Sequence, residues 1–436
     1  MTYRDILRSL VLLISFGFLI SLTLSGDPVI EDEINLTEEE YPRQLDTLEE
    51  FIQSYYLLLD SKEYLNKYKL VDHEKNVIQN DANNLDPFYQ KLLELRNGVR
   101  TRVSIFQIGD SHIQSGYFAG TARSSLQKYY GNAGRGLVFP WRLAGTNQPD
   151  DIRITSTSPW NRTNVERGIC GYGIWSRGTG NLHIRTNNFF GLDNSYNKVT
   201  LITKEKENSY NWTLSGFDEF PNTEIQSFDE QAIYQLQWNT PVRELALQFN
   251  ATEANDVANL YGVILEKTVP GLLYHSVGVN GATFDKLSRI EDFFAQIRLL
   301  NPDLIVISLG TNDAQGRYRN DYFEKQLRTF AASVKRYSPN TPILFTLPPD
   351  SNKGGKHNAD LEKMDKEIID FAKKNHAAWW DLSDLMGGKG SIRQWRSASL
   401  ASSDLLHFTP KGYMLQGHLF YQALIKGYMN YAESKR

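Results

Sequence analysis

Four kinds of residue in this chain could together carry out acyl transfer: a serine, a histidine with a carboxylate nearby, an asparagine and a glycine. Ser111 follows the apolar run Ile105–Ile108 in a Gly-Asp-Ser turn, and helical patterning begins near Gly116. A strand that delivers a serine to the mouth of a helix holds the hydroxyl out of the sheet, beside backbone N–H groups that have no helical partner. That is one way to build a nucleophile and part of an oxyanion site. Far downstream, Asp404 precedes His407 by three residues. In a turn entering a helix, this spacing lets the carboxylate hold Nδ1–H and leaves Nε2 free for the serine proton. The alternative is that Asp404 caps a turn and His407 packs on Phe408. His112 is the nearer histidine, but adjacent residues leaving a strand point different ways, so His407 is the preferred base. Asn312 stands in Gly-Thr-Asn-Asp after the most apolar strand pattern, where its amide can donate to an oxyanion. Read alone, Asn312-Asp313 also suits a turn or cap. Gly281, in Val-Asn-Gly-Ala-Thr, lets a backbone N–H approach a substrate oxygen unobstructed.

Such residues need a frame, and the sequence supplies one. Short apolar runs alternate with amphipathic segments, the pattern of strands joined by crossover helices. The expected strands are Val103–Ile108, Leu272–Val277, Leu304–Leu309, Ile343–Leu347 and Ala377–Leu382. The expected helices are Pro87–Arg96, Tyr117–Tyr130, Phe284–Leu300, Tyr322–Tyr337, Asp360–Asn375 and Lys411–Asn430, the last opened by Thr409 as N-cap and Pro410 at N1. Runs such as Leu304–Leu309 want cover on both faces, which predicts a parallel sheet between helical layers. Between Trp141 and Lys267 the helical period gives way to short alternating runs separated by turn residues, the pattern of an antiparallel β-sandwich.

The 436 residues carry a formal charge of −4, so no global basic field points to nucleic acid. A single cysteine, Cys170, excludes an internal disulfide and a cysteine-based metal cluster. The histidines outside Asp404/His407 show no metal-ligand spacing; neither metal nor cofactor is expected. Arg4 and Arg8 precede an apolar run over 10–24, which reads as an uncleaved signal-anchor with its basic end in the cytoplasm; cleavage and release is the alternative. An acidic stretch, Asp27–Glu50, reads as a solvated stalk. The expected layout is a signal peptide or anchor over 1–26, a stalk and helical segment over 27–85, a catalytic domain over 86–140 and 268–436, and an inserted β-sandwich over 141–267.

In one order, the serine block (Gly109-Asp-Ser-His112), the glycine block (Val279–Thr283), the asparagine block (Gly310–Asp313) and the acid–base block (Asp404–His407) resemble the four blocks of the SGNH (GDSL-type) hydrolase superfamily. The resemblance implies a three-layer α/β/α, flavodoxin-like sheet. It further implies a triad of Ser111, His407 and Asp404, with an oxyanion hole formed by the Ser111 and Gly281 N–H groups and the Asn312 amide. His112 stands where the family name has leucine. The stretches around Ser111 and Gly281 also look like those of bacterial peptidoglycan O-acetylesterases, which carry a carbohydrate-module-like β-sandwich, jelly-roll-like in build, between the same two blocks. This implies a serine esterase acting on an acetylated envelope polysaccharide, in the periplasm or another extracytoplasmic space, anchored by the N-terminal helix. Two rival readings use the same sequence: an O-acetyltransferase fed by a membrane O-acyltransferase partner, and a glycan-binding protein with a dormant hydrolase domain. Asp110, His112, Arg135 and Trp141 are the expected substrate contacts, and Trp160, Tyr172, Trp175 and Trp212 further candidates for sugar stacking.

Overall fold

The computed structural model describes residues 68–204, 210–215, 222–228, 231–251 and 257–435. The expected anchor over 1–26 and the acidic stretch Asp27–Glu50 lie outside the described residues.

The first half of the catalytic region runs β1 (Ile78–Gln79), α1 (Asp86–Arg96), β2 (Arg102–Gly109), α2 (Ser111–Gln114) and α3 (Tyr117–Tyr130). The second half runs β3 (Gly271–Gly278), α4 (Phe284–Ser288), α5 (Phe293–Ile297), β4 (Leu304–Ser308), α6 (Thr311–Gln315) and α7 (Asn320–Tyr337). It continues with β5 (Ile343–Thr346), α8 (Asp360–Lys374), β6 (Ala378–Trp380), α9 (Leu382–Leu385), α10 (Ser391–Ser397) and α11 (Pro410–Ser434). The six strands form one sheet in the order β1-β6-β5-β4-β2-β3. Neighbours are parallel except β1, which adds antiparallel to β6 through Ile78↔Trp380 and Gln79↔Trp379.

The apolar strands are covered on both faces, as their composition demands. Val103, Ile105, Leu304 and Val306 share one buried cluster with α1, α3 and α11. Their sequence neighbours Phe106, Ile108, Ile305 and Ile307 belong to a second cluster with Phe284, Phe293, Phe330 and Ile368. Alternate residues of a strand point to opposite faces, so the two clusters are the two interfaces of an α/β/α arrangement.

Two expectations need correcting. The helix expected over Phe284–Leu300 is broken, with Asp292 at φ 65° between α4 and α5. The Glu291 carbonyl there accepts from the N–H of Gly168, and its carboxylate pairs with Arg167, so this backbone serves the β-region instead of a helix. The sheet also begins earlier than expected, because Ile78–Gln79 lies in the segment read as stalk and helix. Asn76 sets that edge: buried, it accepts from Trp380 Nε1 at 3.0 Å and donates to the Leu419 carbonyl at 3.0 Å.

Between α3 and β3 every strand pair is antiparallel. One sheet runs Asn222–Phe228, Gln231–Val242, Tyr196–Lys204, Gly262–Glu266, Gly136–Val138; another runs Ile152–Thr155, Gly180–Thr186, Glu244–Ala251, Tyr210–Ser215; a small third sheet contains Val257–Leu260, Ile174–Arg177 and Asn161–Arg162. Their inward residues, among them Ile154, Leu182, Leu201 and Leu247, join the same buried cluster as Ile108 and Val277 of the catalytic sheet. The core is therefore continuous from one region into the other.

Candidate active site

The strand order places β2 where the chain reverses direction across the sheet, between β3 and β4. In open α/β sheets ligands bind outside the carboxyl ends of the strands at such a point. Register sharpens this: Gly109, the last residue of β2, lies opposite both Gly278 of β3 and Ser308 of β4. Three strands thus end level, and the serine turn sits on the middle one. A Cβ at Gly278 would lie 2.1 Å from the Gln114 nitrogen and 2.5 Å from the Asp110 carbonyl oxygen, so only glycine lets the turn fold back this closely.

Ser111 opens α2, and Asp110 caps it by accepting from the N–H of His112 at 3.0 Å. Ser111 Oγ lies 3.1 Å from His407 Nε2. His407 Nδ1 lies 2.8 Å from Asp404 Oδ2, while Asp404 Oδ1 accepts from the N–H groups of Leu406 and His407 at 3.0 Å each. Burial pushes the Asp404 carboxyl up, but the His407 imidazole and these N–H groups outweigh it and hold the group below the ordinary carboxylate range. One carboxylate therefore both shapes the turn and fixes the ring, leaving Nε2 directed at Ser111.

The acid–base turn is itself pinned. Leu405 adopts φ 55°, a costly conformation for a branched residue, and is 9% exposed. Its carbonyl accepts from the Asn352 N–H at 2.8 Å, and the Ser402 N–H donates to the His407 carbonyl at 2.8 Å. Thr409 then caps α11 with Pro410 at N1, as the sequence predicts.

The asparagine and glycine blocks are tied to the serine turn through carboxylates. Asn312 Nδ2 donates to Asp110 Oδ2 at 3.1 Å. Asp110 is 1% exposed, and burial pushes its carboxyl up to about 7 despite the groups donating to it. Asp313 accepts from the N–H of Phe284, the first residue after the glycine block, at 3.3 Å; burial raises its carboxyl to about 7 as well. Gly281 itself is exposed at φ 68° with open space beside its Cα, and neither its N–H nor that of Ser111 finds a protein acceptor among the described residues. The Asp313 link is missed by sequence reasoning, although the Asn-Asp pair was its signal.

His112 is not the base. It is buried, its Nδ1 lies 3.0 Å from the Tyr413 hydroxyl, and its ring stacks on His407 with centroids 5.4 Å apart at 30°. Burial, then the neighbouring His407, pushes its pKa down to about 3, so it is a neutral ring against which the base packs. His112 and Asp110 also line a cavity of about 30 Å³ with Ser308, Thr311, Thr346 and Gln416, roomy enough for a water.

The expected substrate contacts fare differently. Asp110 and His112 are buried supports of the turn. Arg135 is 3% exposed, and with the equally buried Arg123 it holds the carboxylate of Asp151. Trp141 is 2% exposed and packs edge-on against Phe139. Burial removes both Arg135 and Trp141 from the substrate contact expected of them. Tyr172 is buried too, Trp160 stacks edge-on against Phe249, Trp175 carries Arg177 over its ring, and the side chain of Trp212 lies outside the described ones. Among the described residues no group of three or more His, Cys, Asp or Glu is placed to hold a metal ion, and no helix is long and apolar enough to cross a membrane.

Known proteins resemble this chain in part of its sequence and in its fold. The model of the GDSL-like lipase/acylhydrolase family matches residues 247–415. No curated protein matches the chain. Among solved structures, a peptidoglycan O-acetylesterase is similar at 20% identity with a TM-score of 0.67, over 79% of this chain and 96% of that one; it shares the fold. A lipase/acylhydrolase from Enterococcus faecalis (21% identity, 36% of this chain and 77% of that one) and a family two carbohydrate esterase from Cellvibrio japonicus (11%, 64% and 99%) both have TM-scores of 0.29, too low to carry an argument.

Proposed function

We propose that this chain is a serine esterase of the SGNH (GDSL-type) hydrolase superfamily that removes O-acetyl groups from a cell-envelope polysaccharide. The observation that carries the reaction is the unbroken line from Ser111 Oγ through His407 to Asp404, at 3.1 and 2.8 Å. The choice of substrate draws on the likeness of the stretches around Ser111 and Gly281 to peptidoglycan O-acetylesterases, and on the fold shared with one of them. The envelope location, the membrane anchor and a carbohydrate-module role for the β-region belong to the same proposal and rest on the sequence.

In this reading Ser111 Oγ attacks the acetyl carbonyl carbon while His407 Nε2 takes its proton. The tetrahedral oxyanion lies among the N–H groups of Ser111 and Gly281 and the Asn312 amide, donors already fixed before charge develops. The bond from carbonyl carbon to sugar oxygen then breaks, and the imidazolium returns the proton to that oxygen. Water, deprotonated by the same imidazole, attacks the acetyl-serine; acetate leaves and Ser111 Oγ regains its hydrogen. Asp404 keeps the tautomer and stabilises the imidazolium. The test is acetate release from O-acetylated peptidoglycan, followed by mass spectrometry: the natural chain releases acetate and Ser111→Ala does not. Full activity in the serine variant, or none in the natural chain, ends the reading.

A further inference from the structure

Buried Trp141 and Tyr172 leave open what would grip a polymer beside Ser111, and another aromatic group meets the need. Tyr117 begins α3, six residues after Ser111, so its Cα lies within about 20 Å of the serine even if the chain between were fully extended. Its ring packs against Phe189 at 5.9 Å and Phe190 at 6.5 Å, and those two meet edge-on at 5.0 Å. Phe190 is seated on α3, where its ring occupies the space a Cβ at Gly120 would need, and its carbonyl accepts from Ser124 Oγ at 2.8 Å. Phe189, by contrast, is 37% exposed, although its backbone is fixed by a bond from its N–H to Asn187 Oδ1 at 2.8 Å. Exposed Asn187 and Asn188 flank it. A solvent-facing phenyl ring on a fixed backbone, beside exposed amides such as that of Asn187, whose oxygen and nitrogen each keep a further lone pair or hydrogen beyond their internal bonds, suits a ligand with an apolar face and polar edges.

The patch is continuous with the candidate active site. The segment 146–150 runs between them as a strap. Thr146 Oγ1 accepts from Gln114 Nε2 of the serine helix at 2.9 Å and from Asn280 Nδ2, next to Gly281, at 3.4 Å. Gln114 Nε2 also reaches the Asn147 carbonyl at 3.1 Å. Pro149 lies against Gly116, where an added Cβ would come within 2.6 Å of it. Asp150 accepts from the Tyr117 hydroxyl at 2.5 Å through its carboxylate and from Asn187 Nδ2 at 2.8 Å through its carbonyl. Every step from Gly281 to Phe189 is bridged by a contact.

The geometry points to a glycan-stacking subsite on the face of Tyr117 and Phe189, which holds the sugar chain along the 146–150 strap while its acetyl group reaches Ser111. The choice of a glycan as occupant rests on the proposed esterase reading. Pyranose rings present C–H faces to an aromatic ring and hydroxyls to Asn187, Asn188 and Asp150, whereas a lipid surface would want apolar side chains without the amides.

The test measures binding by titration calorimetry, apart from turnover. The probe is soluble O-acetylated glycan strands freed of their peptides by an amidase, and the protein carries Ser111→Ala so that the probe survives. Phe189→Ala should weaken the affinity about 10-fold and Phe189→Tyr should restore it, with the melting temperature of both kept at the parent's value. Equal affinity in Phe189→Ala, or no affinity in the parent, overturns the subsite. So does binding to phospholipid vesicles that Phe189→Ala abolishes while glycan affinity stands. Acetate release by the natural chain is a separate readout: its absence removes the esterase reading, whereas the calorimetry decides the subsite.

Discussion

Replacing Asp110 with asparagine separates stability from catalysis in a way the site geometry makes specific. Asp110 Oδ1 accepts from the His112 N–H and Oδ2 from Asn312 Nδ2. Above about pH 7, where Asp110 is ionised, its carboxylate has only acceptors, so it forces Asn312 to present its amino group on that side and leaves the second amide hydrogen for an oxyanion. In Asp110→Asn, the new Oδ1 keeps the N–H of His112, and the new Nδ2 then faces Asn312 Nδ2 at 3.1 Å, donor against donor. Turning the Asn312 amide relieves the clash and carries its donor away from the oxyanion. Losing such a donor costs about 10²–10³ in kcat.

Stability should move the other way. The Asp110 carboxyl is raised from 3.8 to about 7 by burial, so the folded chain holds this proton more tightly than the open chain does. Stability contributed by the group therefore falls as pH rises from about 4 to about 7, and stays lost above that. At about 1.4 kcal/mol per pH unit the total is on the order of 4 kcal/mol. The asparagine variant has no proton to lose. Relative to the natural chain it should gain stability between pH 5 and pH 8.5, while hydrolysis of p-nitrophenyl acetate drops at least 100-fold. Urea melts at the two pH values and steady-state kinetics check both halves. A folded variant with kcat within about threefold of the natural chain refutes the orienting role of Asp110.

Further changes probe the rest of the frame. Ser111→Ala or His407→Ala should abolish ester hydrolysis with the melting temperature unchanged, read by the same assay. Asn312→Ala should cost about 10²–10³ in turnover and raise the pKa of Asp110 further, because it removes one of the groups donating to that carboxylate; a carbon-13 titration of Asp110 reads the second effect. Gly278→Ala should destabilise the protein by several kcal/mol, since the added methyl meets the Gln114 backbone at 2.1 Å and no flexible side chain can yield. Asp404, held below the ordinary range, contributes stability that is fully present above about pH 4 and is lost only as pH falls through its lower folded value. Acid melts of Asp404→Asn should therefore show a smaller loss of stability at the acid end than the natural chain does, the remainder coming from other depressed carboxylates such as Asp151 and Asp193.

The parts of this molecule legible in the sequence are those where one local rule settles the outcome. β2, β3 and β4 could be read because strands covered on both faces must be apolar throughout, and the N-cap of α11 because Thr-Pro has few other uses. Ser111, His407 and Asp404 were legible through the chemistry that their spacing permits. Misreadings arose where a residue's partner lies far away in the chain. Nothing near Arg135 announces Asp151 and Arg123, whose packing turns an expected substrate contact into a member of a buried ion-pair cluster. Nothing within Phe284–Leu300 announces Gly168, whose claim on the Glu291 carbonyl breaks the helix.

Asp110 shows why the same limit applies inside the site. Its sequence signal is that of a turn-former, since Gly-Asp-Ser triplets make ordinary turns. Its buried position gives it a second task, because the ends of β2 and β4 are level and bring Asn312 to 3.1 Å. Asp313 extends the tie to Phe284, so the serine, asparagine and glycine blocks are joined by two carboxyls, Asp110 buried and Asp313 half-buried, that both hold their protons up to about pH 7. In the proposed reaction the triad needs only Ser111, His407 and Asp404, whereas the oxyanion donors need these two aspartates to stay in place. A sequence that kept Ser111, His407 and Asp404 but lost Asp110 would keep its nucleophile and base and lose the donor geometry.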